Sequence, residues 1–72
     1  MKKLYELPEY QNVKLYFNDV VVIFDHLDGL YSYCWLAGDK DKIIHIKITT
    51  LFKKYKDGYK YIDEGGNSDE FK

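Results

Sequence analysis

Two short stretches of the sequence carry residue types that perform catalysis in other proteins. They supply a carboxylate, two imidazoles, a hydroxyl, a thiol and an amine: Asp25, His26, Ser32, Cys34, His45 and Lys47. A thiol within reach of an imidazole can lose its proton and become a nucleophile. The same polar groups can instead contact a bound ligand. Which chemistry applies depends on which of these side chains share one face of the fold.

The segments that contain these residues are predicted to be β-strands. NVKLYF, VVVIFDH, LYSYCWL and IIHIKI are rich in β-branched and aromatic residues and are separated by short polar joints. Asn18-Asp19 and Asp28-Gly29 predict two-residue hairpin turns, and Ala37–Lys42 predicts a symmetric loop. TTLFKKYKDG predicts one short helical or 3₁₀ turn before a last strand around Tyr59 to Asp63.

In the register that these turns imply, every second residue falls on one face and is apolar or aromatic. That predicted core set is Val13, Leu15, Phe17, Val20, Val22, Phe24, Tyr31, Tyr33, Trp35, Ile44, Ile46 and Ile48. The pattern predicts an all-β fold: an antiparallel meander that curls into an SH3-like five-stranded barrel. An open sheet that dimerises is the alternative. Residues 1–63 form a single domain in this prediction, and residues 64–72 form an acidic, Gly-rich tail that we expect to be disordered.

The same register places most of the polar residues on the opposite face. It pairs Asp25 with Ser32, Ser32 with Lys47, and Cys34 with His45. His26 is the exception, beside Tyr31 at the hairpin end of the core face. The candidate ligand- or partner-binding residues are Asp25, His26, Ser32, Tyr33, His45 and Lys47, with Tyr16 alongside.

An enzyme and a metal site are the less favoured interpretations of these residues. A Cys34–His45 pair on so small a barrel lacks room for an oxyanion hole and a substrate cleft. The structural interpretation of the Cys34–His45 pair is a half-buried thiol beside an exposed histidine. Asp25 and His26 are adjacent in a strand and therefore point to opposite faces, so they are not expected to share an ion. We expect no catalytic residues, no metal and no cofactor.

Composition narrows the range of partners. The chain has 72 residues, a formal net charge of −1 and no arginine, which argues against general binding to phosphate backbones. A single cysteine excludes an internal disulfide, and the absence of a C-x-x-C pair argues against structural zinc. No secretory signal pattern and no apolar run of about 18 residues is present. These features favour a cytoplasmic protein without a membrane segment.

The run FDHLDGLYSYCWLAGDKDKIIHI, residues 24–46, resembles a pattern in short uncharacterised proteins of bacteriophages and prophages. In those proteins a Phe-Asp-His strand, an Asp-Gly turn and a Tyr-Ser-Tyr-Cys strand precede a segment with Val/Ile-His. The resemblance implies a small β fold and a phage accessory role in the host cytoplasm, such as inhibition of a host defence protein. It carries no known activity or catalytic residue to this chain.

Three functions follow as alternatives. The first is a non-enzymatic binding protein that occupies a host protein or sequesters a small, nucleotide-type signalling ligand. Exposed members of the eight tyrosines would supply its contacts. The second is a small barrel that binds single-stranded nucleic acid through a local basic patch, formed by Lys53, Lys54, Lys56 and Lys60. The third is a virion or assembly component that forms homo-oligomers.

Overall fold

The computed structural model describes residues 1–62, and over these residues the fold is all-β, as predicted. The predicted tail, residues 64–72, lies outside the described residues. The strands are β1 (Lys2–Lys3), β2 (Val13–Phe17), β3 (Val20–Asp28), β4 (Tyr31–Leu36), β5 (Asp39–Ile44), β6 (Leu51–Tyr55) and β7 (Gly58–Tyr61). One 3₁₀ turn, Leu4–Glu6, follows β1. No helix in residues 1–62 is long and apolar enough to cross a membrane.

The seven strands form one mixed sheet that does not close, in the order β1-β6-β7-β2-β3-β4-β5. The SH3-like five-stranded barrel was therefore a wrong prediction. Two segments account for the difference. The lead-in contributes β1, and the predicted helical turn before the last strand is instead strand β6. Phe52 pairs with Lys2 of β1 on one side and with Tyr61 of β7 on the other, which is the backbone pairing of a strand inside a sheet and not of a helix.

The register of the β2–β3 hairpin was predicted correctly. Val13 pairs with Phe24, Leu15 with Val22, and Phe17 with Val20. The turn lies at Asn18-Asp19, where Asn18 has φ of 57°. Asn tolerates this left-handed conformation better than most residues do, so the sequence signal was specific.

The register of the β3–β4 hairpin was predicted wrongly. Asp28 pairs with Tyr31, so the two-residue turn is Gly29-Leu30 and not Asp28-Gly29. Of the two turn residues only Gly29 has positive φ, at 67°, as a type II′ turn requires at its first central position. The shifted turn alone would keep the odd-numbered residues of β4 on the side of Phe24. A register irregularity between Phe24 and His26 pairs Phe24 with Cys34 instead, and this places β4 with its other side towards the core.

The β4–β5 register is also shifted by one residue from the prediction. Cys34 pairs with Ile44 and Trp35 pairs with Ile43. The predicted loop Ala37–Lys42 is mostly strand, because β5 begins at Asp39 directly after a turn at Ala37-Gly38. The alternating charges of β5 suit a strand at the edge of a sheet, since β5 is exposed from Asp39 to Ile43.

The core combines predicted and unpredicted residues. The buried cluster is Leu4, Leu7, Leu15, Val22, Phe24, Cys34, Ile46 and Phe52. Leu4 and Leu7 come from the lead-in, where the 3₁₀ turn covers one side of the sheet. Tyr31, at 46% exposure, does not join the core. Ser32 and Cys34 are fully buried instead, so Tyr33 and Trp35 lie on the outer face.

Candidate binding surface

Four aromatic and imidazole rings lie in sequence across the outer face. We call this set, Tyr10, His26, Tyr33 and His45, the stacked row. The ring centroids of Tyr10 and His26 are 5.3 Å apart, and those of His26 and Tyr33 are 5.0 Å apart, with interplanar angles of 12° and 15°. His45 meets Tyr33 edge-on at 6.0 Å. The chain has two histidines, and both therefore contact Tyr33.

The irregularity in β3 creates this arrangement. Phe24 pairs with Cys34 and His26 pairs with Tyr33, which leaves Asp25 as the extra residue of a bulge. The bulge reverses the alternation, so Phe24 points into the core while His26 points outward. The prediction that His26 lies on the core face was wrong for this reason.

The bulge also brings the side chains of Asp25 and His26 together. Nδ1 of His26 lies 2.6 Å from a carboxylate oxygen of Asp25, and both side chains are about 30% exposed. The expectation that these adjacent residues point to opposite faces was therefore wrong. A carboxylate can only accept, so Nδ1–H donates and the Nε2 atom of neutral His26 is left as a hydrogen-bond acceptor.

His45 is oriented in a comparable way. Its Nδ1 lies 3.1 Å from the backbone carbonyl oxygen of Ser32. Because a carbonyl oxygen can only accept, this Nδ1 carries the proton and Nε2 is the acceptor in the neutral ring. Both imidazoles of the row are thus fixed in one tautomer by the protein. Each can accept a hydrogen bond from a partner, or donate one from Nε2 when protonated.

Tyr10 is the site residue that the sequence prediction omitted, although it was one of the exposed tyrosines considered for binding. It is 66% exposed and has φ of 60°, which is a strained conformation for an aromatic residue. Its backbone N–H donates to the carbonyl oxygen of Asp25 at 2.6 Å. Next to it, a carboxylate oxygen of Glu9 accepts from the backbone N–H of Leu27 at 3.0 Å. These two bonds tie the lead-in to β3 and hold the Tyr10 ring over His26.

Ser32 and Cys34 belong to the core and not to a site. The Ser32 hydroxyl donates to the carbonyl oxygen of Ile46 at 2.9 Å and lies 3.3 Å from the backbone nitrogen of the same residue. Burial raises the pKa of the Cys34 thiol. The predicted pairs of Asp25 with Ser32 and of Cys34 with His45 were wrong, and Cys34 is a protonated core residue.

The remaining predicted residues lie on the outer face, but at different places. Lys47 is exposed and pairs with Tyr31, one step beyond the row, and not with Ser32. Tyr16 lies on β2, and its hydroxyl donates to a carboxylate oxygen of Asp57 at 2.6 Å. The structure thus brings Asp25, His26, Tyr33 and His45 together and separates Tyr16 from them.

Asp57 joins Tyr16 and Lys14 in a small polar network at the turn between β6 and β7. Lys14 Nζ lies 2.8 Å from the carboxylate. The hydrogen bonds from Lys14 and Tyr16 lower the pKa of Asp57 to about 2. The same contacts raise the pKa of Lys14 and of the Tyr16 phenol. Tyr55 packs edge-on against Tyr16, with ring centroids 5.1 Å apart.

Fold and surface together define a small all-β protein with a row of aromatic and imidazole rings on its outer face, in which Tyr10 and His45 are exposed and His26 and Tyr33 are half-buried. Within residues 1–62, no group of three or more His, Cys, Asp or Glu side chains is arranged to hold a metal ion. No protein-family model, curated protein or solved structure matches the chain.

Proposed function

We propose that this chain is a non-enzymatic binding protein that recognises a partner protein through the stacked row. The observation that carries the proposal is the parallel stacking of Tyr10, His26 and Tyr33 on the outer face, with the Tyr10 ring exposed. Tyrosine is enriched at protein interfaces because it offers a large apolar ring and a polar tip at small entropic cost. The row is already ordered in the free protein, so association need not order it.

The surroundings of the row favour a protein over a small ligand. Tyr10 is 66% exposed, and at the β3–β4 turn Leu30 is 74% and Tyr31 is 46% exposed. Pockets for small molecules bury most of the ligand surface, whereas these side chains project outward. Exposed apolar residues next to oriented polar groups are the usual composition of an interface core.

The strained backbone of Tyr10 supports the same conclusion. A non-glycine residue at φ of 60° costs on the order of 1–3 kcal/mol, and such strain clusters at functional sites. The hydrogen bonds of the Tyr10 N–H and of the Glu9 carboxylate hold this segment against β3, and the Tyr10 side chain stays 66% exposed. The resemblance of residues 24–46 to a pattern in short uncharacterised phage and prophage proteins makes a bacterial host protein the first partner to test.

The test compares partner capture by the full chain and two variants. In Tyr10→Gly the ring is lost and the positive φ becomes unstrained, so the variant should remain folded. Val20→Ser is the matched control, because Val20 is 41% exposed and lies about 20 Å from His26 by strand rise. The partner is identified by mass spectrometry, purified, and titrated against all three proteins by calorimetry.

We expect Tyr10→Gly to weaken partner binding at least about 30-fold, the usual loss at a hot spot, and Val20→Ser to leave it unchanged. Equal affinity of the wild type and Tyr10→Gly would show that the row is not the interface. A nucleotide found by native mass spectrometry on the wild type but not on Tyr10→Gly would replace the protein partner by a small ligand.

A further inference from the structure

A second surface, separate from the stacked row, lies on the hairpin of β6 and β7. We call the set Lys53, Lys56, Lys60, Tyr55 and Tyr16 the lysine–tyrosine surface. The ammonium groups of Lys60 and Lys56 lie 4.9 and 5.2 Å from the centroid of the Tyr55 ring. The Tyr16 ring meets Tyr55 edge-on from the neighbouring strand β2. Two ammonium groups thus lie over the Tyr55 ring, and the Tyr16 ring flanks it.

Within residues 1–62, no salt bridge joins Lys53, Lys56 or Lys60 to a carboxylate. Lys53 and Lys60 are directly opposed across the hairpin, an arrangement in which like charges destabilise a sheet. Asp57, the acidic residue of the hairpin, already pairs with Lys14. Among residues 1–62, Lys14 with Asp57 is the only lysine–carboxylate salt bridge. A chain of net charge −1 therefore carries a concentrated positive patch here.

We propose that the lysine–tyrosine surface binds single-stranded nucleic acid. Ammonium groups attract the phosphate backbone, and tyrosine rings stack unpaired bases without regard to sequence. The flexible lysine stems can leave the ring when phosphates draw the ammonium groups away, and this exposes Tyr55 to a base. A duplex fits less well, because its bases are already stacked and are not available to the rings.

The first measurement is fluorescence anisotropy of labelled oligouridylate and oligothymidylate, about 12 nucleotides long, with the full chain. If three ammonium groups each neutralise one phosphate, the slope of log K against log salt is about −2. The affinity should then fall about 20-fold between 50 and 200 mM salt. An affinity that does not respond to salt would contradict the proposal.

Two charge-matched variants locate the site. Lys53→Gln/Lys60→Gln removes two of the three ammonium groups and relieves the repulsion between them, so the protein should stay folded. Lys40→Gln/Lys42→Gln makes the same change on β5, at the opposite edge of the sheet. We expect the first variant to lower the affinity at 50 mM salt about tenfold and to reduce the slope by about 1.4. The second should change neither.

Further outcomes separate this proposal from its alternatives. Tyr55→Leu should weaken binding about fivefold or more without changing the salt slope, because it removes stacking and not charge. Tyr10→Gly should leave oligonucleotide affinity unchanged, so failure of the partner-protein proposal does not affect this one. The proposal is overturned by no binding at 50 mM salt or by equal losses in both lysine variants. Binding to phosphatidylserine vesicles without binding to oligonucleotides would also overturn it.

Discussion

Replacing Gly58 by alanine tests the packing that supports the lysine–tyrosine surface. Gly58 is buried at the start of β7. A Cβ atom there would collide with the carbonyl oxygen of Lys14, and it would lie 3.0 Å from the carbonyl carbon and the Cβ of the same residue. Most of these atoms belong to the backbone of β2, so no side-chain rotation relieves the collision. The two strands must move apart.

The loss of stability in Gly58→Ala depends on the contacts that weaken when β2 and β7 move apart. β2 and β7 are parallel neighbours, paired at Leu15–Tyr59 and Tyr16–Lys60. Overpacking of this kind costs about 1–3 kcal/mol, and each weakened backbone hydrogen bond adds about 0.5–1.5 kcal/mol. We expect a loss of about 3 kcal/mol. For a domain of this size that lowers Tm by roughly 12–24 °C.

The test is decisive because the expected change in stability has the opposite sign to the usual effect of replacing glycine by alanine. Gly58 has no positive φ, and at such positions alanine ordinarily stabilises a protein by about 0.4–1 kcal/mol through the unfolded chain. Thermal and urea unfolding, followed by circular dichroism, measure the difference. Gly38→Ala is the control, because its φ is 94° and nothing lies within 4 Å of the added Cβ. The stability of Gly38→Ala should fall only because alanine is strained at this positive φ, by about 1–2 kcal/mol. A Tm of Gly58→Ala equal to or above that of the wild type would refute the reasoning.

Two further predictions concern ionisable groups. Cys34 is fully buried, and burial raises its thiol pKa. We therefore expect the thiol to react with Ellman's reagent at pH 8 only as fast as the protein unfolds, and to react completely in urea. Reaction within the mixing time in native buffer would contradict this. The folded-state pKa of Asp57 is about 2, below its ordinary value of 3.8, so its contribution to stability is present above the ordinary value and is lost as the pH falls towards 2. Asp57→Asn should therefore remove part of the loss of stability between about pH 4 and pH 2, measured as the urea midpoint against pH, and it should lower the phenol pKa of Tyr16 in a spectrophotometric titration. Acid profiles that coincide with those of the wild type would show that the contact is absent in solution.

The hairpins show which parts of the fold the sequence could predict. β2 has apolar side chains at alternating positions, β3 begins with a continuous apolar run, and an Asn-Asp turn joins them. Their predicted register was correct. The β3–β4 turn offered Asp28-Gly29 and Gly29-Leu30 as alternatives that differ by one residue. Both turns leave the same side of β4 facing the core, and the bulge at Asp25 exchanges the sides. The composition of β4 does not reveal this exchange, because the segment LYSYCWL has aromatic rings on one side and Leu, Ser and Cys on the other. Either side can be buried.

The side of β4 that carries Ser32 and Cys34 can be buried because the Ser32 hydroxyl is hydrogen-bonded inside the core. A hydroxyl in the core costs free energy unless it is hydrogen-bonded, so the sequence alone favoured burial of the tyrosines. The backbone of Ile46 satisfies this hydroxyl on the adjacent segment, and no buried side-chain polar atom of the described residues lacks a partner. The partner is a backbone group 14 residues away, which no local pattern reveals. The stacked row also depends on features that no local pattern reveals, because it needs the bulge at Asp25 and the strained Tyr10 from the lead-in.

The edges of the sheet bear on how this protein associates with others. β5 is an exposed edge strand in which acidic and basic residues alternate from Asp39 to Lys42, and β1, at the other edge, has two residues. Charged and very short edge strands are poor templates for the addition of another strand. Assembly through sheet edges, as a homo-oligomer or virion component would use, is therefore disfavoured. The exposed rings of the outer face have no comparable protection, so a partner is expected to meet the face of the sheet and not its edge.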